Sequence, residues 1–320
     1  MSKVPERARK PGDTESSEST PLPNSGDDEI AGIKLTHPDR ILYPDQGVTK
    51  RELAHYYEAV ADWILPHIEG RPLTLVRCPE GYKKQCFIQR HAKDSLDAAI
   101  HSMRVKERGT IVSYLWVDSL PGLIALAQMG VLELHSWGSR RERIDRPDRL
   151  IFDLDPDPSV SWAAVKEAAE LLRSRLSELD LGAFVKTTGG KGLHVVVPVA
   201  PKQDWNFAKE FCKSVAQSIV RENPGRYTAT MSKSKRKEKI FIDYLRNARA
   251  ASAVSAYSTR ARSGAPVSVP LRWEELREDI RSNFTIKNVP LRLARLRKDP
   301  WDDYESARAT ITRNMLKRLS

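Results

Sequence analysis

Residues 150–158 read LIFDLDPDP, an apolar run ending in Asp153, Asp155 and Asp157. On a strand, residues two apart share a face, so Asp153 and Asp155 point together while Phe152 and Leu154 pack behind them. Two carboxylates so close repel unless a cation lies between them. A divalent ion with oxygen ligands, Mn²⁺ or Mg²⁺, would satisfy the pair. An acidic strand end, stopped by Pro156 and Pro158, satisfies the letters equally well. Asp157, beyond Pro156, reads as a turn residue. An EF-hand loop starting at Asp153 is excluded, because it needs Gly and Glu where the chain has Pro158 and Ala164.

Two further stretches carry chemistry. KTTGGKGLHVVVP (186–198) sets Gly189, Gly190 and Gly192 around Lys191 and then launches a strand holding His194. Glycines let backbone approach an anion, and lysine and histidine donate to phosphate oxygens. The Walker A spacing is absent, and Gly-Gly alone is also an ordinary hairpin turn. KIFIDYLRN (239–247) places Asp243 in an apolar strand, where an unpaired carboxylate is costly. Asp243 either pairs with Arg246 or Arg249, or supplies a third carboxylate for a two-metal cluster. Arg246, Arg249, Arg260 and Arg262 follow closely enough to clamp a triphosphate. A phosphatase of the haloacid-dehalogenase type also ends a strand on two aspartates. Its pattern continues Gly-Thr where this chain has Pro156-Asp157, which weakens that reading.

These residues need elements to hold them. Strands are expected at 149–155, 183–188, 193–199 and 239–245, and helices at 49–68, 161–180 and about 204–222. Thr49 and Glu52 form a capping box for the first helix, and Pro66 is expected to end it. Strands interleaved with helices, some joined by short turns, imply a mixed α/β body. Residues 1–30 are rich in Ser, Pro, Gly and charge and read as a disordered tail.

The 320 residues carry a formal charge of +11; the tail is acidic, and the remainder holds 49 basic against 35 acidic residues. That balance favours a polyanionic partner, nucleic acid first. Cys78, Cys86 and Cys212 have no CxxC spacing, so neither a disulfide nor a zinc site is expected, and a reduced, cytosolic setting fits. The most apolar stretch, 120–134, is too short and too broken by Pro and Gly to cross a bilayer. No signal peptide is visible.

FDLDPD, TTGGKGLHVVVP and IFIDYLRN followed nine residues later by YSTRAR resemble the three motifs of the polymerase domain of bacterial DNA ligase D, of the archaeo-eukaryotic primase superfamily. The likeness runs from KLTHPDRILYP (34–44) to DPWDDYESARATITRNMLKRL (299–319). It implies mixed and antiparallel sheets flanked by helices, with the active site between two subdomains: a DNA-end-binding part at about 31–145, a catalytic part at about 146–300 and a helical segment at 301–320. It implies Asp153, Asp155 and Asp243 as ligands of two Mn²⁺ or Mg²⁺ ions, with no zinc. Thr188, Lys191, His194, Arg246, Arg260 and His135 would meet the incoming nucleotide. Arg40, Lys50, Arg77 and Phe87 would read a recessed 5′-phosphate and a template base. The neighbouring Ile88 stands where a second aromatic is common, and Arg40 where lysine is. The basic run SKSKRKEK (232–239) would touch the DNA backbone or form a solvated loop.

The implied function is template-directed addition of ribo- or deoxyribonucleotides to 3′ ends of gapped or broken DNA, in repair by non-homologous end joining. A Ku-type end-binding protein and an ATP-dependent ligase are the implied partners, at the nucleoid of a bacterial cytoplasm. The ligase and phosphoesterase modules of a full ligase D are missing from these residues, and Met1 and the end at Ser320 suggest a stand-alone product. The alternative is a DNA-end-binding module without catalysis.

Overall fold

A computed structural model describes residues 28–92, 96–107, 109–276, 280 and 284–319. The tail expected at 1–30 therefore lies outside the described residues up to position 27. Within 1–30, Glu29–Ile30 pairs antiparallel with Ile33–Lys34, and Ile30 is buried.

Two six-stranded sheets carry the fold. In the first, Arg149–Pro156 is central, flanked antiparallel by Ile240–Asp243 and Leu193–Pro198, with Tyr227–Thr228, Phe184–Thr187 and Pro270–Leu271 outside them. The second runs Ser252–Val254, Val131–Trp137, Leu73–Arg77, Thr110–Trp116, His101–Glu107, and Phe87–Gln89 also pairs with Leu73–Arg77. The mixed α/β class predicted from the pattern of strands and helices is the one found.

The alternation in LIFDLD decides how the first sheet is covered. Leu150, Phe152 and Leu154 are fully buried in the main core, with Val165, Ala169 and Leu172 of helix Trp162–Ser177 and Phe211 of helix Trp205–Glu222. Each such burial is worth about 1.5–3 kcal/mol. The opposite face begins with Ile151 and Val196, which pack with Ala253, Trp301 and Tyr304. Two residues further along that face stands Asp153, and there the packing opens into a cleft. Asn247 closes the strand's free backbone edge, accepting from the Ile151 N–H and donating to its carbonyl, both at 2.7 Å.

The helix ends follow local chemistry. Thr49 makes both bonds of the capping box with Glu52. Pro66 does not end its helix. The break falls at Val60, between helices Lys50–Ala59 and Ala61–Ile68, and Pro66 sits on the exposed side of the second. There the carbonyl it leaves unpaired can turn to water. The segment expected to be helical at 301–320 is mostly turns, with a helix only at Arg313–Arg318.

Cysteine pairing departs from expectation too: Cys78 and Cys86 form a disulfide, with Cα atoms 4.3 Å apart. The reason is register. Arg77 and Phe87 are cross-strand partners, so the cysteines that follow and precede them meet at the neck of one hairpin loop. Cys212 is free and buried.

Candidate active site

One row of the first sheet holds the chemistry. Asp243, Asp153, His194 and Lys186 are successive cross-strand partners on four adjacent strands, so their side chains share one face. Asp155 lies on that face two residues beyond Asp153. This face forms a wall of a cleft of ≈ 390 Å³, into which Asp153, Asp155, Thr188, Lys191, His194, Arg246, Arg260 and Arg262 project. His135, Ala253 and Val254 come from the second sheet, so the cleft lies between the two halves of the fold.

The carboxylates differ in electrostatics. Asp153 is held down at about 2: burial opposes this, but His194 at 3.4 Å, Arg246 at 3.3 Å and Lys186 outweigh it. Asp155 and Asp243 are both pushed up, mainly by burial and further by the negative charge of Asp153. Arg246 reaches Asp243 at 3.2 Å as well as Asp153, while Asp155 turns toward Arg236 at 3.4 Å. No three acidic, His or Cys side chains among the described residues come close enough to hold a metal ion. The donor set nevertheless suits a hard divalent cation. Asp153, Asp155 and Asp243 offer carboxylate oxygens on this face, and burial together with the negative charge of Asp153 raises the last two, which a bound cation would relieve.

The glycine-rich turn is shaped by close approach. A Cβ at Gly192 would lie 2.0 Å from the Leu154 carbonyl oxygen, so only glycine lets this turn reach the central strand. Gly189 has φ +65° beneath the Arg260 side chain. Thr188 Oγ1 donates to the Gly192 carbonyl at 3.1 Å, fixing the turn across its neck.

Two residues of the site gave no warning in the sequence. Glu133, buried in LELHSW, accepts from His135 Nε2 at 2.7 Å and the Ala261 N–H at 3.0 Å, and pairs with Arg260 Nε at 3.0 Å. Arg260 in turn donates to the Thr188 carbonyl. Glu133 thus ties together a histidine and an arginine that line the cleft. Burial raises its carboxyl, but His135 and Arg260 bring it down to about 2. Lys186 is buried and bonds the Val254 carbonyl at 2.9 Å and Ser268 Oγ at 2.6 Å, joining the two sheets behind the cleft. Burial and Lys186 push the imidazole of His194 down to about 4, so it is neutral at pH 7.

Other candidates fall elsewhere. Arg249, a possible clamp residue, turns away to Asp145 at 2.7 Å and the Lys106 carbonyl at 2.8 Å. Asp157 is a turn residue bonded to Ser159. Of the basic run 232–239, Arg236 lies over the Phe241 ring at 3.7 Å.

Arg40, Lys50, Arg77 and Phe87 gather at the second sheet. Ile41 pairs with Thr49, which brings Arg40 and Lys50 together at the base of a hairpin. Lys50 is buried and donates to the Thr36 carbonyl at 2.6 Å and Gln128 Oε1 at 3.3 Å; burial and Arg40 lower its pKa. Arg40 contacts Glu80 and the Pro79 carbonyl within the disulfide-closed loop. Arg77 lies 5.2 Å from the centre of the Phe87 ring, and Phe87 and Ile88 are both exposed.

Comparison with known proteins places this geometry in a family. Residues 49–301 match the model of the LigD primase-polymerase domain. The chain is 39% identical over 291 residues to the multifunctional non-homologous end joining protein LigD of Pseudomonas aeruginosa, covering 90% of this chain and 35% of that one. The multifunctional non-homologous end joining DNA repair protein LigD of Mycobacterium tuberculosis is 34% identical over 271 residues, 82% of this chain and 36% of that one. The chain thus spans about a third of the length of these curated relatives. The polymerase domain of M. tuberculosis ligase D, solved in complex with DNA, superposes with a TM-score of 0.81 at 31% identity, covering 86% of this chain and 98% of that one. The fold is that of an archaeo-eukaryotic primase-like polymerase domain, and the chain belongs to the LigD primase-polymerase family.

Proposed function

We propose that this chain is a template-directed nucleotidyltransferase that adds nucleotides to 3′ ends of gapped or broken DNA during non-homologous end joining. The observation that carries the reading is the shared face of Asp153, Asp155 and Asp243 beside a cleft lined by Lys191, Arg246, Arg260 and Arg262. Three carboxylates on one sheet face and four cations lining the cleft beside it suit a metal-bound triphosphate. The relatives' names and the DNA complex of the solved neighbour support the same assignment.

Asp153, Asp155 and Asp243 would hold two divalent ions, Mn²⁺ or Mg²⁺. Bound there, such ions would supply the positive charge that activates the attacking 3′-hydroxyl and steadies the triphosphate and leaving group. Lys191 and the Thr188 hydroxyl bind phosphate oxygens at the glycine turn, where the backbone can come close. Arg260, held by Glu133, and Arg262 flank the triphosphate from the other side. Arg246 neutralises Asp153 and Asp243 before substrate enters and turns to phosphate afterwards. His194, neutral and 3.4 Å from Asp153, meets the phosphates as a hydrogen-bonding group that adds no net charge. Arg40 and Lys50 receive the 5′-phosphate at the far side of a gap, while Arg77 holds Phe87 for stacking on a template base. A Ku-type protein would deliver the end, and an ATP-dependent ligase would seal it.

The test is incorporation of labelled ATP and dATP on a short-gap duplex, with and without a 5′-phosphate and Mn²⁺. Metal-dependent addition, lost in Asp153→Ala, is expected. A gel shift without incorporation would favour a DNA-end-binding module instead.

A further inference from the structure

A second basic feature lies outside the cleft. Two adjoining cavities of ≈ 490 and ≈ 330 Å³ share Glu142, Arg143, Arg146 and Pro201, and so form one trough. Its cations are Arg140, Arg141, Arg143, Arg146, Lys202 and Arg308. Its four acids are already matched. Asp148 takes both terminal nitrogens of Arg71 at 2.5 and 2.7 Å and also reaches Arg140 at 3.5 Å and Arg308 at 3.8 Å within the trough, while Asp145 takes Arg249, from outside the lining, at 2.7 Å. Glu142 and Glu305 pair with Arg141 and Arg308 at 2.8 and 2.5 Å. Arg143, Arg146 and Lys202 are exposed and make none of the ion pairs found among the described residues; Arg146 donates only to the Lys202 carbonyl.

The loop that bears these arginines is fixed in place. The Ile144 carbonyl accepts from Ser139 Oγ at 3.0 Å and Trp205 Nε1 at 2.9 Å, and the Arg141 N–H reaches the Gly70 carbonyl at 2.7 Å. Arg249, three residues on from the cleft-lining Arg246, contacts Asp145 in the trough.

We infer that the trough carries the sugar-phosphate backbone of a DNA arm leading away from the reacting end. The inference rests on the polymerase reading and adds a binding surface to it. A protein partner would need an apolar anchor, and the trough lining offers only Ile144 and Pro201. The unmatched cations Arg143, Arg146 and Lys202, two of them on a fixed loop, instead suit a repeating anion.

The test uses the full chain with the double substitution Arg143→Ala and Arg146→Ala, whose exposed side chains can be removed without opening the core. Binding is measured by fluorescence anisotropy on gapped, 5′-phosphorylated duplexes with arms of about 5 or about 20 base pairs. On long arms the variant should bind about tenfold more weakly at low salt. Its plot of log K against log salt should flatten by about 2, close to one for each phosphate that is no longer neutralised. On short arms, affinity and nucleotide incorporation should match the parent chain, and Arg143→Lys with Arg146→Lys should restore the long-arm slope. Equal weakening on both arms, or none on either, would overturn the inference. So would displacement of the long duplex by polyglutamate as effectively as by competitor DNA of equal charge, which would assign the trough to an acidic protein. A parent chain that neither binds nor extends any gapped duplex is a separate result, and would remove the polymerase reading itself.

Discussion

Asp153 and Asp243 are direct partners across two antiparallel strands, and the single guanidinium of Arg246 reaches both, at 3.3 and 3.2 Å. The pair is therefore asymmetric: His194 and Lys186 also favour the charge on Asp153, whereas burial and Asp153 itself disfavour the charge on Asp243. The register that builds the site thus makes one of its carboxylates a liability to folding.

Asp243→Asn should expose that liability. A carboxyl raised in the folded state contributes stability below its unfolded value and loses it as pH rises through the folded one. At neutral pH the charge is a net cost, which an amide of equal size removes, and the Leu245 N–H can still be bonded. The melting temperature at pH 7 should hold or rise, while incorporation falls by roughly a hundredfold or more. Thermal melts paired with primer extension check this, and a large loss of stability would contradict it.

Glu133→Gln should behave oppositely. Its carboxyl lies at about 2 against an ordinary 4.5, so its stabilisation is complete above pH 4.5 and is lost as pH falls toward 2. At about 1.4 kcal/mol per pH unit the gap is worth on the order of 3 kcal/mol. Urea unfolding should show the variant weaker by up to that amount at pH 7 and much closer to the parent at pH 3. Because Glu133 holds His135 and Arg260, KM for the nucleotide should rise several-fold with a smaller change in kcat.

Gly192→Ala should be far worse than Gly190→Ala, although both lie in one turn. A methyl at 192 meets the Leu154 carbonyl at 2.0 Å, and that carbonyl belongs to the central strand, which cannot yield. At 190 the nearest atom is Nη1 of Arg262, at 2.8 Å, the far end of a flexible side chain. Losses of about 3 kcal/mol or more against under about 1 kcal/mol are expected in chemical denaturation.

The contrast between those glycines also marks what a sequence can reveal. Asp153 and Asp155 are legible because strand alternation alone puts them on one face, whereas His194 joins them only through the pairing of its own strand. Lys191 is legible because the glycines around it let backbone approach an anion, while Thr188 enters only through the family resemblance. Glu133 and Lys186 are not, since nothing in VLELHSW or FVKT sets either apart, and only the meeting of two sheets gives it partners. The Cys78–Cys86 bond was hidden for a similar reason. An eight-residue spacing means nothing until Arg77 and Phe87 pair. Arg249 shows the reverse error, because chain proximity to Arg246 suggested the cleft while Asp145 drew it away. Local pattern thus decides which face a side chain takes, and tertiary register decides what meets it there.

Lys50 should discriminate a phosphorylated end from a bare one. It is 4% exposed, burial and Arg40 lower its pKa, and its ammonium is satisfied by the Thr36 carbonyl and the Gln128 amide oxygen, both neutral acceptors. A base so lowered costs the folded state stability at low pH and ceases to do so as pH rises past its unfolded value. An arriving phosphate would supply the missing negative charge and raise the pKa again, so affinity for a 5′-phosphorylated end should exceed that for a hydroxyl end. Lys50→Met keeps the stem and removes the charge. Stability at pH 7 should change by less than about 1 kcal/mol, because the desolvation cost disappears along with two hydrogen bonds. The preference for phosphorylated over unphosphorylated gapped duplex should fall by about tenfold, the worth of one charge-assisted bond. Anisotropy titrations of the two duplexes at pH 7 decide it. If the variant keeps the full preference, the phosphate is read elsewhere and the buried ammonium serves only to join Thr36 to Gln128.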